Sequence, residues 1–150
     1  MTAINEVPKE TSAPPYSPRL ALTVLAAIHL SVVIWHGGAH STLAVGLTQF
    51  QNAFVPGVIL FAPLLATLLL WTRLEDFALW LYMTAMCASL VFGVYYHYIV
   101  ISPDNVHYLP AGSDPVRHHF TYSAAAVAFT EAIATLYGGM ALFRRQSAIR

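Results

Sequence analysis

Seven histidines stand in a 150-residue chain in which only 9% of the side chains are charged. Imidazole is therefore the main chemistry-bearing group the sequence offers. Six of the seven, His36, His40, His97, His107, His118 and His119, are expected toward one end of the molecule. His36 and His40 are separated by one helical turn, which puts both rings on one face at a spacing suited to sharing a metal ion. His29 precedes them on the same helix, and at about 100° per residue both offsets return to within about 20° of one direction. One helix thus carries a histidine stripe.

If the helices run antiparallel, His97 and the His118/His119 pair reach the same depth as His36 and His40. The expected metal ligands are His36, His40, His97, His118 and His119. Imidazole suits Zn, Cu and Fe alike, and Asp104 or Asp114 could complete the shell or orient a ring. The lone Cys87 lies within an apolar run, so a thiolate cage is excluded but none of those metals is. The main alternative is haem b held by two of His36, His97 and His119 on facing helices, with Gly37, Gly38 and Gly93 giving the porphyrin clearance. That alternative leaves most of the outer histidines without a role. Any one of these rings taken alone also has a plainer use, a hydrogen bond to a loop carbonyl near a membrane surface, and the glycines could serve only bending or close packing.

Glu131 is the single acidic residue inside an apolar run long enough to span a bilayer. Ionised near the bilayer centre it would cost at least a few kcal/mol, so it must be protonated, paired or facing water. His29 has a matching depth, and a Glu131–His29 bond between helices would solve both burial problems. Such a pair is structural or forms a proton or ion relay. Glu131 lies about 120° around its helix from His119, so those two belong to different sites. The sequence has no nucleophile elbow, phosphate loop or HExxH motif.

The elements that must position these groups follow from composition. Apolar residues make up 57% of the chain and the mean hydropathy is +0.60, which nearly excludes a water-soluble domain. Seven basic residues balance seven acidic ones, so there is no charge signature for nucleic acid. Four continuous apolar segments, Leu20 to His40, Asn52 to Trp71, Phe77 to Ile101 and His118 to Phe143, each supply the roughly 20 residues that a bilayer core requires. Their lack of alternation argues against a β-barrel. The expected fold is an all-α, four-transmembrane-helix, up-and-down bundle over residues 19–145. Residues 1–18, with Pro8, Pro14, Pro15 and Pro18, are expected to form a flexible tail, with a second short tail at 146–150. No removable signal peptide is recognised. Pro56 and Pro63 predict kinks in the second helix, and Ser41 to Gln51 reads as a helix extension or interfacial segment. The stretch from Ser102 to Arg117 reads as an ordered loop rich in turn residues.

Lys9, Arg19, Arg73, Arg144, Arg145 and Arg150 fall on one side of this topology and only Arg117 on the other. By the bias of basic residues toward the cytoplasm, both termini face inward and the histidine-rich end faces outward, across a bacterial-type plasma (inner) membrane. The expected function is binding or transport of a transition-metal ion by a multi-pass membrane protein. A haem-binding or accessory electron-transfer subunit of a larger membrane complex is the second reading, and a small metalloenzyme acting on a lipid or quinone the third. The expected partners are the lipid bilayer and either further copies of the chain or the subunits of a larger complex.

Overall fold

The computed structural model describes residues 17–149, with side chains up to residue 147. The expected proline-rich tail lies almost wholly outside the described residues, as do Lys9 and Arg150. Four helices follow in order: α1 (Pro18–Thr42), α2 (Gln49–Leu69), α3 (Glu75–Ile99) and α4 (Asp114–Ile149). Each is long and apolar enough to cross a membrane, and no strand occurs among the described residues.

Local chemistry sets the boundaries. Pro18 opens α1, where a missing N–H is harmless. Of the stretch Ser41 to Gln51, expected as a helix extension or interfacial segment, the two ends are helical and residues 43–48 form a connection, in which Ala44 takes a left-handed conformation with φ 52°. A capping box starts α2 at Gln49: Thr48 Oγ1 accepts from the Gln51 N–H at 3.3 Å and Gln51 Oε1 accepts from the Thr48 N–H at 2.8 Å. Within α2, Val55–Phe61 is π-helical and carries Pro56, so the ring that would crowd an α-helix sits in a wider turn. α4 begins at Asp114, earlier than expected, and continues through Ile149. Of the second tail expected at 146–150, residues 146–149 are helix, because nothing in FRRQSAI breaks one, and Arg150 lies outside the described residues.

α4 packs on both α1 and α3. α2 packs on α3, and meets α1 along Ala62–Leu69, in the half of the bundle nearer the termini. That half holds the apolar core, with Leu22, Leu70, Tyr82 and Met86 all fully buried. Gly138 makes the α3–α4 contact possible, since a Cβ there would lie 3.4 Å from both Met83 Cβ and Tyr82 Cδ1. The same end is tied by charge: Arg19 Nε donates to Glu75 Oε1 at 2.9 Å, and Arg145 donates to Glu75 Oε2 at 2.7 Å and also pairs with Asp76. Large apolar side chains such as Ile34, Leu68, Val91, Phe129 and Leu136 point outward, while His29, His36, His97, Ser123 and Glu131 are buried along with the apolar core. This is the inverse of a water-soluble helix bundle.

Candidate metal centre

At the opposite end of the bundle α1 brings His36 and His40 inward one turn apart, and α3 brings His97 to meet them. His97 sits on a π-helical turn, Tyr95–Ile99, closed by the Val100 N–H donating to the Tyr95 carbonyl at 2.9 Å. Nε2 of His36 lies 3.1 Å from Nε2 of His97 and 3.2 Å from Nε2 of His40, and one ligand atom from each ring falls within 4.8 Å of the others. Tetrahedral coordination with metal–nitrogen bonds of about 2.0–2.1 Å spaces its ligand atoms about 3.3–3.4 Å apart. The observed spacings fall just below that value.

The partners of the far ring nitrogens decide what these Nε2 atoms present. Ser123 Oγ donates to the Phe120 carbonyl at 3.0 Å, so it can accept from Nδ1–H of His36 at 2.9 Å. Nδ1 of His97 lies 2.9 Å from the Asp104 carbonyl, which can only accept, so that nitrogen carries the proton. With the proton on Nδ1 of both rings, their bare Nε2 lone pairs face each other across 3.1 Å, an arrangement that a cation between them would make favourable. This is the outer-shell pattern that fixes the tautomer of metal-binding histidines. His40 is less constrained: its Nε2 is also 3.2 Å from Asp104 Oδ1, and its buried Nδ1 has no hydrogen-bond partner.

Asp104 comes from the α3–α4 connection and is itself buried. Gln51 Nε2 donates to its Oδ2 at 2.9 Å, which leaves Oδ1 between His40 Nε2 and His97 Nδ1, at 3.2 and 3.1 Å, without a well-aligned donor. The side chain that caps α2 therefore also clamps the carboxylate. Asn105 holds the connection in place, donating to the Val100 carbonyl at 2.9 Å and accepting from the His107 N–H at 3.0 Å. The fully buried Phe120 ring walls the site, with its centroid 4.8 to 5.6 Å from the three imidazoles. The rings also border a cavity of about 520 Å³ that runs between α1 and α2 to Gly93 and Glu131.

The expected Glu131–His29 pair is present, with Oε1 3.2 Å from Nε2 and both side chains buried. Two of the five expected ligands stand apart from the cluster. His119 stacks on Trp35 at 5.3 Å between ring centroids, and the exposed His118 lies beside Tyr122 at 5.9 Å. Helical phase explains the correction: α4 turns Phe120 and Ser123 to the site, and positions 119 and 118 are about 100° and 200° away from Phe120. His107 and Asp114 are exposed. Of the pairings considered for haem, His36 with His97 does not have the spacing, because opposed imidazoles on one iron need roughly 4 Å between their nitrogens, twice a metal–imidazole bond. His36 and His97 are closer than that, with ring planes 84° apart. No family model matches the chain, and neither a curated protein nor a solved structure matches it.

Proposed function

We propose that this chain is an integral membrane protein whose three-histidine centre, His36, His40 and His97, holds one Zn, Cu or Fe ion at the extracytoplasmic end, with both termini in the cytoplasm. The reading rests on one observation, the convergence of three imidazoles, with Nε2 of His36 3.1 Å from Nε2 of His97 and 3.2 Å from Nε2 of His40, and one ligand atom from each ring within 4.8 Å of the others. Asp104 orients His97 through its carbonyl and keeps a carboxylate oxygen beside His40. Three imidazoles leave a coordination position free, the hallmark of a reactive rather than a purely structural site.

A resident ion fits better than a passing one. Below Glu131 the bundle interior closes on Leu22, Leu70, Tyr82 and Met86, whose polar atoms are limited to the Tyr82 hydroxyl donating to the Leu22 carbonyl. An ion leaving the cavity toward the termini would meet only scattered donors, the Thr135 hydroxyl and the thioethers of Met83 and Met86, rather than a second cluster of imidazoles and carboxylates. Detergent-purified protein is expected to carry one transition-metal ion per chain by elemental analysis, and the His36→Ala/His40→Ala variant to carry none while keeping its helical content. A metal-free wild type that also fails to take up Zn(II), Cu(II) or Co(II) would refute the centre.

A further inference from the structure

The cavity beside the three imidazoles has its own polar terminus. Glu131 is 0% exposed and commits Oε1 to His29, while Oε2 has no hydrogen-bond partner and the residue borders the cavity. A Cβ placed on Gly93 would stand 3.7 Å from Glu131 Oε2 and 4.0 Å from His97 Cδ2. The free carboxyl oxygen and the His97 ring are thus less than about 8 Å apart, on the two sides of a wall kept low by a glycine. Between these polar ends the lining is mostly apolar, with Val33, Val55, Ile59, Phe92 and Val127 beside Ser89 and Asn52.

The shape of the bundle gives this space a side door. α1 meets α2 along Ala62–Leu69, whereas the π-helical stretch Val55–Phe61 packs on α3, so α1 and α2 diverge toward the histidine end. In a protein that spans the bilayer, that divergence opens on lipid. An occupant arriving this way must be membrane-soluble along its length. At its head it must satisfy Glu131 Oε2, which is an acceptor if the carboxyl is ionised and can be a donor if it is protonated. A hydroxyl group, donor and acceptor at once, answers either state.

From these features we infer that the cavity binds a neutral, membrane-soluble molecule ending in a hydroxyl group, of the phenol or quinol class. Its apolar body lies between α1 and α2 and its hydroxyl bonds Glu131 beside the free face of the metal centre. The inference deepens the proposed metal site and names the class of molecule that site would meet. A cavity of about 520 Å³ falls within the range of small-molecule sites.

The test uses the full chain in lipid nanodiscs with two probes of matched shape, para-octylphenol and octylbenzene. Melting of the wild type is followed with each probe, since a ligand that binds the folded state raises the melting temperature. The phenol is expected to raise it and octylbenzene to do so about tenfold less effectively, a hydrogen bond's worth of selectivity. Replacing both members of the buried pair, in His29→Leu/Glu131→Met, leaves no orphaned partner and should abolish that selectivity. Gly93→Ala, whose new methyl meets only ordinary contacts, should weaken phenol binding without altering metal content. In Co(II)-loaded protein the phenol is also expected to change the visible cobalt spectrum.

Equal stabilisation by the two probes, or selectivity that survives the double variant, overturns the inference. Cobalt uptake without a phenol-specific stabilisation overturns it while leaving the metal centre standing. A phenol-specific stabilisation in protein that takes up no cobalt supports the cavity and removes the metal.

Discussion

Ser123→Ala separates a metal centre from a mere knot of hydrogen-bonded histidines. Ser123 is fully buried, and its Oγ lies 2.9 Å from His36 Nδ1, placed to accept that ring's N–H in the metal-binding tautomer. Alanine leaves that N–H without a partner in a buried setting, a loss of about 1–3 kcal/mol if the ring keeps its tautomer. The metal-free ring has an escape: it moves its proton to Nε2 and donates to the bare Nε2 of His97, already 3.1 Å away. The metal-bound ring has none, because its Nε2 lone pair is in use. The penalty therefore falls on the loaded state. At about 1.4 kcal/mol per factor of ten, metal affinity is expected to drop by roughly 5- to 150-fold, in keeping with the 10- to 100-fold typical of lost outer-shell partners. Competition against a chelator of known affinity measures the first quantity, and melting in excess chelator measures the second. Unchanged affinity, or a chelated protein destabilised as much as its affinity falls, would refute the assignment of tautomers and with it the argument for a cation.

Gln51→Ala removes both a helix cap and the clamp on Asp104, so about 1 kcal/mol of stability should go, together with several-fold in metal affinity by the same chelator competition. Gly138→Val drives a branched side chain into Tyr82 and Met83 and should lower stability by about 1–3 kcal/mol, with metal content unchanged below the melting transition. In a Cys87→Ser background, Val106→Cys should react with an impermeant maleimide in intact cells and Arg73→Cys only after permeabilisation; the opposite pattern would invert the proposed orientation. Metal binding displaces protons from imidazole, so affinity should fall as the pH is lowered. The absorption spectrum of the purified protein should lack a Soret band, and finding one would restore the haem reading.

The four spans were legible because each is a long apolar run, and no turn chemistry can counterfeit that signal. The i, i+4 spacing of His36 and His40 and the matched depth of His29 and Glu131 were legible for a similar reason: both need only the α-helical repeat. What the repeat cannot supply is the rotation of one helix against another. His118 and His119 share the right depth, but α4 is turned so that Phe120 and Ser123 face inward, and depth alone could not decide between them. Asp104 was noticed as a carboxylate in a loop, but its selection over Asp114 depends on Gln51, a residue that chemistry alone does not single out. The T-x-x-Q capping signature at Thr48–Gln51 was there to be found, and it would have moved the start of α2 to Gln49 and drawn attention to Gln51. The π-helical turn at Tyr95–Ile99 has no sequence signature comparable to the proline in Val55–Phe61.

The placement of polar groups carries an argument that does not depend on any one ring. His29, His36, Ser89, His97, Asp104, Ser123 and Glu131 are buried toward one end of the bundle, while the other end is filled by Leu, Ala, Tyr and Met side chains. Burying a polar group stabilises nothing unless its hydrogen bonds are replaced, and a well-packed apolar core of similar volume is often as stable or more so. Most of these groups do find partners within the protein. Among the described residues five buried side-chain atoms do not: His40 Nδ1, Asp104 Oδ1 and Glu131 Oε2, whose residues line one cavity, and His119 Nε2 and Thr135 Oγ1, whose residues do not. A scaffold that only anchored or spaced other proteins would gain by replacing them with leucine. Three of the five belong to residues around one space, so the proposed ion at the imidazoles and the proposed hydroxyl-bearing molecule at the carboxyl would each offset part of the cost of burying them.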